Sequence, residues 1–506
     1  MSSRTANTLG PAAASSTFPA AVLVISALAG MAAVAGVAIA IIGVAAGYRA
    51  IYYVAVLTLF SIGGLVTATR KEPLRFAFLA LIACFPIAAA EIPPGRFEIA
   101  AFHAVMAALA IGLVAKKLFG TATTSFFPTR SLLIAILLII PCIGFSQYPL
   151  WSLQQFIVNN LTVYVFLLFA IEELKREKGF ERIVFLLSIV LLVMATGLYI
   201  DHFLHMNLSL RGSNLNQDTM SESGLTIYRA GGFFQDPQRA GAYLACMITF
   251  LLLLAIRGRF TGTMMRFLVW AAIALSLGAL VTTISRTAIL ACLSVSAITL
   301  FLFNKWNAAS KLLVVGSVMV VAMSMALTPA ETLLNILPSS VLDRFMSMQA
   351  EVDHRLLIWL DTWDMFADHP VTGIGIASFR PYLIETRPGV FNYYDIGTSE
   401  GVSYIPDQPE SGYLKILYEG GILGSLAALT VVGDAFRRGI AVIVDKSANP
   451  DARTELIAAL AALVTFGATF ITLYTSADAR IAGLFAIFLA VIFSRSLQHE
   501  PMTQKA

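Results

Sequence analysis

Long uninterrupted apolar runs constrain this chain more than any other feature. Stretches such as 183–203, 239–256 and 287–304 approach or reach the roughly 18 apolar residues that a helix needs to cross a bilayer. In hydrocarbon, only a helix or a closed barrel satisfies every backbone N–H and C=O. The runs are continuous rather than alternating, which excludes the barrel. Of the 506 residues 58% are hydrophobic and 13% charged, with a mean hydropathy of +0.80, whereas a soluble domain carries about 25% charged residues. The predicted fold class is all-α: a polytopic membrane helical bundle of about 14 transmembrane helices, with a large extracytoplasmic loop containing amphipathic helices.

The predicted spans are 19–46, 51–69, 74–90, 98–115, 131–147, 154–171, 183–203, 239–256, 265–282, 287–304, 311–327, 413–434, 455–474 and 479–494. The first run is too long for a signal-peptide core and reads as a retained span, either one tilted helix or two short ones. Basic residues cluster in alternate connectors: Lys175, Arg176, Lys178 and Arg182, then Arg257, Arg259 and Arg266, then Arg437, Arg438, Lys446 and Arg453. The positive-inside trend makes those connectors cytoplasmic. The expected organisation is N-terminal spans over 1–203, a first extracytoplasmic loop over 204–238, and central spans over 239–327. A large extracytoplasmic loop over 328–412 and C-terminal spans over 413–506 complete it. A net charge of +4 that follows topology gives no reason to expect nucleic acid as a partner; the lipid bilayer is the expected surroundings. Cys84, Cys142, Cys246 and Cys292 all lie in apolar runs, where cysteine acts as a small hydrophobe.

The interval 328–412 is the one long polar stretch. Within it, Leu356, Trp359, Leu360, Trp363 and Phe366 fall at helical spacing and predict an amphipathic helix. Asp368-His369-Pro370 ends it, and the turn Thr372-Gly373-Ile374-Gly375 follows.

Candidate chemistry gathers at the loop ends. Asp236-Pro237 is an N-cap and first-turn pair, so a helix starts there with its positive dipole end beside Arg229 and Arg239. Arginines at a helix N-terminus suit an anion, and a diphosphate would fit; Arg239 alone also reads as a snorkelling side chain. Arg286, in the short hairpin Thr282–Thr287, runs against the charge trend, and a boundary arginine is costly enough to suggest a role. Candidates for a general base are Asp353, His354, Asp361, Asp368, His369, Asp407 and Glu410. Glu410 stands apart because it precedes a helix that re-enters the membrane, where it could instead act as a cap. Asp201, His202 and His205 look loosely like metal ligands but read as interfacial residues, so no metal site is predicted.

Three segments together resemble the O-antigen ligase and polymerase superfamily of bacterial envelope glycosyltransferases. They are Arg229-Ala230-Gly231-Gly232-Phe233 with Asp236-Pro237; Ser285-Arg286-Thr287-Ala288; and Arg355 to Phe379 followed by Ser411-Gly412-Tyr413-Leu414 and Glu419-Gly420-Gly421-Ile422-Leu423-Gly424. The resemblance implies a metal-independent, inverting enzyme without a cofactor. Its donor would be an undecaprenyl-diphosphate-linked glycan, its acceptor a glycan or lipid-glycan, and its site would lie on the periplasmic side of the inner membrane. A chain-length regulator is a conceivable partner. Arg229, Arg286 and Glu410 become the catalytic candidates, and Arg239, Arg355, Asp407, Tyr413, Gly373 and Gly375 the substrate-binding ones. Ligases of this superfamily typically carry a histidine where this chain has Glu410, which leans the reading toward a polymerase. A ligase is the close alternative, and a lipid-linked glycan transporter a more distant one.

Overall fold

The computed structural model describes residues 72–88, 101–118, 125–205, 208, 218–220, 226–234, 236–303, 348–386, 409–474 and 478–499. In chain order the helices are Pro73–Ala83 (α1), Phe85–Ala88 (α2), Ala101–Leu118 (α3), Arg130–Gly144 (α4), Pro149–Leu174 (α5) and Gly179–Leu204 (α6). A small antiparallel hairpin follows, Asp218–Met220 (β1) with Thr226–Tyr228 (β2). Then come Pro237–Ile256 (α7), Thr263–Thr282 (α8), Arg286–Phe303 (α9), Met348–Asp368 (α10), Phe379–Thr386 (α11), Gly412–Val444 (α12), Pro450–Thr469 (α13) and Ala479–His499 (α14). The chain divides into two compact units, residues 1–80 with 108–122, and residues 81–107 with 123–506. In the first, Gly112 gives room to the Leu74 side chain. Everything below concerns the second.

Among the described residues eight helices are long and apolar enough to span a membrane: α5 to α9 and α12 to α14. The expected spans 19–46, 51–69 and 311–327 lie outside the described residues. Three others correspond to shorter helices. The run 74–90 is split at Cys84, just before Pro86, and 131–147 becomes the 15-residue α4, which contains Pro141. The run 98–115 falls on α3, whose apolar part is Val105–Ala115. In the other direction, α12 runs ten residues past its predicted end at 434. The charges that marked that end are carried on the helix: Asp434 accepts from Ser131 Oγ (2.8 Å) and Arg438 Nε (2.9 Å). All four cysteines are free thiols.

The buried centre is α7, packed by α8, α9 and α13. Its first turns are small residues, Ala240-Gly241-Ala242, which let another helix come close; a Cβ at Gly241 would meet Ser285 and Ala288 at the start of α9. The bundle has two polar ends. At one, Arg259 meets Glu181 (2.8 Å) and Glu455 (2.7 Å), Arg495 also meets Glu455 (2.5 Å), Arg182 meets Glu173 (2.7 Å), and His499 meets Asp445 (2.8 Å). Three of the predicted basic connectors are thereby gathered at one end. The opposite end collects the C-termini of α6, α8 and α13 and the N-termini of α7, α9, α12 and α14.

The polar interval behaves differently from its sequence pattern in one respect. Helix α10 packs through Ile358, Thr362 and Met365, with Phe366 partly buried, while Leu356, Leu360 and Trp363 are exposed. Both stripes are apolar. The packed one is chosen by Ile374, Phe379, Tyr382 and Tyr418, which arrive from later in the chain.

Candidate functional site

The loop after β2 is organised by Asp201, a fully buried carboxylate in the last turn of α6. Its Oδ2 accepts the backbone N–H groups of Gly231 (2.8 Å) and Gly232 (2.7 Å), and its Oδ1 accepts from the Tyr228 hydroxyl. Gly232 sits at φ +57 against Leu198, a backbone shape and a closeness that favour glycine. The loop thereby passes across the α8–α9 hairpin. Ala230 N donates to Thr282 O (3.2 Å), and the buried Arg229 donates from Nε to Thr283 O (3.3 Å). Arg286 opens α9 three residues later, after a hairpin residue, Ile284, at φ 52. The loop that carries Arg229 is thus packed against the hairpin that leads into Arg286.

Asp236 caps α7 as its sequence predicts, accepting from Gln238 N (2.8 Å) with Pro237 at the first helical position. Arg239 lies 3.9 Å from Asp236, and its buried Nε has no hydrogen-bond partner among the described residues. Below the loop, Arg480 is 2% exposed and is gripped by Asp478 (2.5 and 2.8 Å). Arg480 also donates to Phe233 O (2.8 Å) and lies 3.8 Å over the Phe234 ring. Burial alone would raise the Asp478 carboxyl, but the Arg480 guanidinium holds it down at about 2. Since an unfolded aspartate titrates near about 3.9, this pair contributes stability above that pH and loses it as pH falls toward about 2. Asp478→Asn leaves Arg480 buried and uncompensated; thermal unfolding in detergent is expected to show a loss of about 3–5 kcal/mol at pH 7.

The second half of the site is built on a break in α12. Gly421, at φ 60 and ψ −155, interrupts the helix. The turn after α10 supplies bonds for the groups the break releases. Ile374 N donates to Tyr418 O (2.9 Å) and Gly375 N to Glu419 O (3.0 Å), while Ile422 N donates to Pro370 O (2.8 Å) and Leu423 N to Val371 O (3.1 Å). Gly373 (φ +68) abuts the Glu419 carbonyl, and Gly375 (φ +118) faces Ser146 and Ser152, whose hydroxyls share a 2.7 Å hydrogen bond. The Ile374 carbonyl accepts from Ser146 Oγ (3.0 Å) and Gln147 N (3.1 Å), which ties the turn to the α4–α5 connector. Gly373 and Gly375, expected near substrate, are therefore placed against the α12 break.

Beside the break, Glu419 Oε1 accepts from Lys415 Nζ, from Tyr418 OH (3.0 Å) and from Ala377 N (2.8 Å). Glu419 and Lys415 are both buried, yet both line a cavity of about 1630 Å³ between α4, α5, α12, α13 and α14, which Arg239 and Tyr413 also reach. Glu410 stands just outside, at φ 48 and partly exposed. Ser411 is the N-cap residue of α12, without a side-chain cap bond, and Gly412 N donates to Phe470 O (2.8 Å). Asp407 lies outside the described residues; Arg355 falls within α10. Among the described residues no cluster of His, Cys, Asp and Glu could hold a metal ion.

Sequence reasoning named Glu419 only as part of the family motif, did not single out Lys415, Asp478 or Arg480, and gave Asp201 only an interfacial role. The available signal was an ionisable residue in or at the edge of an apolar run, which is expensive unless it is paired.

Residues 271–429 match the family model described as O-antigen ligase. That match supports the O-antigen ligase/polymerase family for this chain. It spans Arg286, the α10 turn and the α12 break, and begins after the Arg229 loop. No curated protein matches the chain.

Proposed function

We propose that this protein is an integral-membrane glycosyltransferase of the O-antigen ligase/polymerase type. It moves an undecaprenyl-diphosphate-linked oligosaccharide onto a glycan hydroxyl on the periplasmic side of the inner membrane. The observation that carries this reading is the packing of the Arg229 loop across the hairpin that leads into Arg286. A diphosphate is a weak base, so its departure needs fixed positive charge rather than a proton donor, and guanidinium groups offer bidentate contact to phosphate oxygens. Arg229 and Arg286 receive the diphosphate, with Arg239 next to them on α7. Glu410, two residues before α12 and beside the cavity-lining Tyr413, accepts or orients the proton of the attacking hydroxyl. Tyr413, Arg355 and Asp407 complete the substrate-binding set, and Gly373 and Gly375 act through the turn they shape.

We favour polymerisation, because Glu410 replaces the histidine of related ligases. The ligase reading is favoured instead by the description of the matching family. Deleting the gene and resolving envelope polysaccharide on gels separates the two. Glycan stalled at a single repeat is expected for a polymerase, whereas full-length glycan left on its lipid carrier would make the protein a ligase. An unchanged polysaccharide profile would remove both.

A further inference from the structure

Helix α5 contains a π-helical stretch, Phe156–Leu161, in the middle of a membrane span. Such stretches close i→i+5 hydrogen bonds and often mark functional sites. In a regular α-helix residues five apart point about 140° away from each other. Here Gln154, Gln155, Asn159 and Asn160, two pairs at that spacing, all line the 1630 Å³ cavity. Asn159 Nδ2 donates to Gln155 Oε1 (2.9 Å), while Gln154 and Asn160 make no side-chain hydrogen bond among the described residues. Gln154 is half-buried and Asn160 exposed, so both have hydrogen-bonding capacity to offer an occupant.

The facing wall narrows the choice of occupant. Lys415 and Glu419 neutralise each other there, and Arg239, which also reaches the cavity, lies 3.9 Å from the Asp236 carboxylate. Of the aromatic residues that line the cavity, Trp151 and Tyr413 are anchored by hydrogen bonds to Ala377 O (3.1 Å) and Gly467 O (2.9 Å). Neutral amides and aromatic rings in one lining match the chemistry of uncharged sugar rings, which present many hydroxyls and apolar C–H faces.

We propose that this cavity is the acceptor subsite, taking the sugar rings of the acceptor glycan against the α5 carboxamides. The assignment to the acceptor rests on the transferase reading; the affinity for uncharged glycan does not. Donor diphosphate belongs instead with Arg229 and Arg286.

The test uses full-length protein in lipid nanodiscs. The probe is the host's own oligosaccharide repeat, freed from its carrier by mild acid so that it holds neither isoprenoid nor diphosphate. Saturation-transfer NMR is expected to detect binding to the unaltered protein. Joint Gln154→Leu and Asn160→Leu substitution should weaken that binding by about tenfold, while Asn160→Gln should retain it. In transfer reactions the leucine variant should raise the acceptor KM and leave kcat and the donor KM in place. Absence of binding to the unaltered protein, or equal binding to the leucine variant, would overturn the subsite. A raised donor KM with an unchanged acceptor KM would give the cavity to the isoprenoid chain instead. Binding that is amide-dependent in a protein incapable of transfer would leave the glycan subsite standing and remove the transferase reading.

Discussion

Arg229→Ala is expected to reduce glycan transfer by roughly a hundredfold or more, the scale seen when one fixed electrostatic stabiliser of a transition state is removed. Arg286→Ala should do the same. Both measurements are made in membranes with purified lipid-linked repeat unit and normalised to inserted protein, because Arg229 is buried and its loss also frees the Thr283 carbonyl. Lysine at either position should rescue poorly, since a point charge cannot reproduce a bidentate phosphate contact. Near-normal glycan length in both alanine variants would dismantle the donor site proposed above. Loss in one alone would leave that arginine as the phosphate ligand and the other as part of the hairpin packing.

The two adjacent glycines of α12 should respond in opposite ways. Gly421 has a backbone shape that is nearly restricted to glycine, and a Cβ there would strike the Val371 carbonyl and Gly373 N. Gly421→Ala therefore combines about 1–3 kcal/mol of backbone strain with the loss of the bonds that hold the α10 turn to the break. Thermal unfolding should drop sharply and transfer should vanish with it. Gly420 has open space where its Cβ would be. Gly420→Ala should be neutral, or stabilising by up to about 1 kcal/mol through helix propensity. Equal behaviour of the two variants would mean that the break does not organise the site.

Much of this was readable from residues in order. Asp236-Pro237 caps α7 because capping is a local transaction between one side chain and a backbone N–H two residues on. The spans from Gly179 to Phe303 were legible because bilayer hydrocarbon enforces length and apolarity on each helix separately. The turn Thr372–Gly375 was visible in its glycines, although the α12 carbonyls it serves were not. Glu410 and Glu419 show the limit. Both are glutamates near the start of one helix, yet Glu410 is partly exposed and Glu419 is buried, where Lys415, Tyr418 and Ala377 converge on it from two segments.

By itself the sequence determined the all-helical membrane class, the helix caps, the gathering of basic connectors at one end and the family resemblance. Each of these depends on composition, period or short-range order along the chain. Tertiary structure alone decided that Asp201 holds the Arg229 loop across the Arg286 hairpin, and which apolar stripe of α10 is packed. It also decided that a broken helix and a glycine turn complete each other, and that four amides share one cavity. Those outcomes depend on which distant groups satisfy a buried hydrogen bond or charge, a pairing that linear order does not encode.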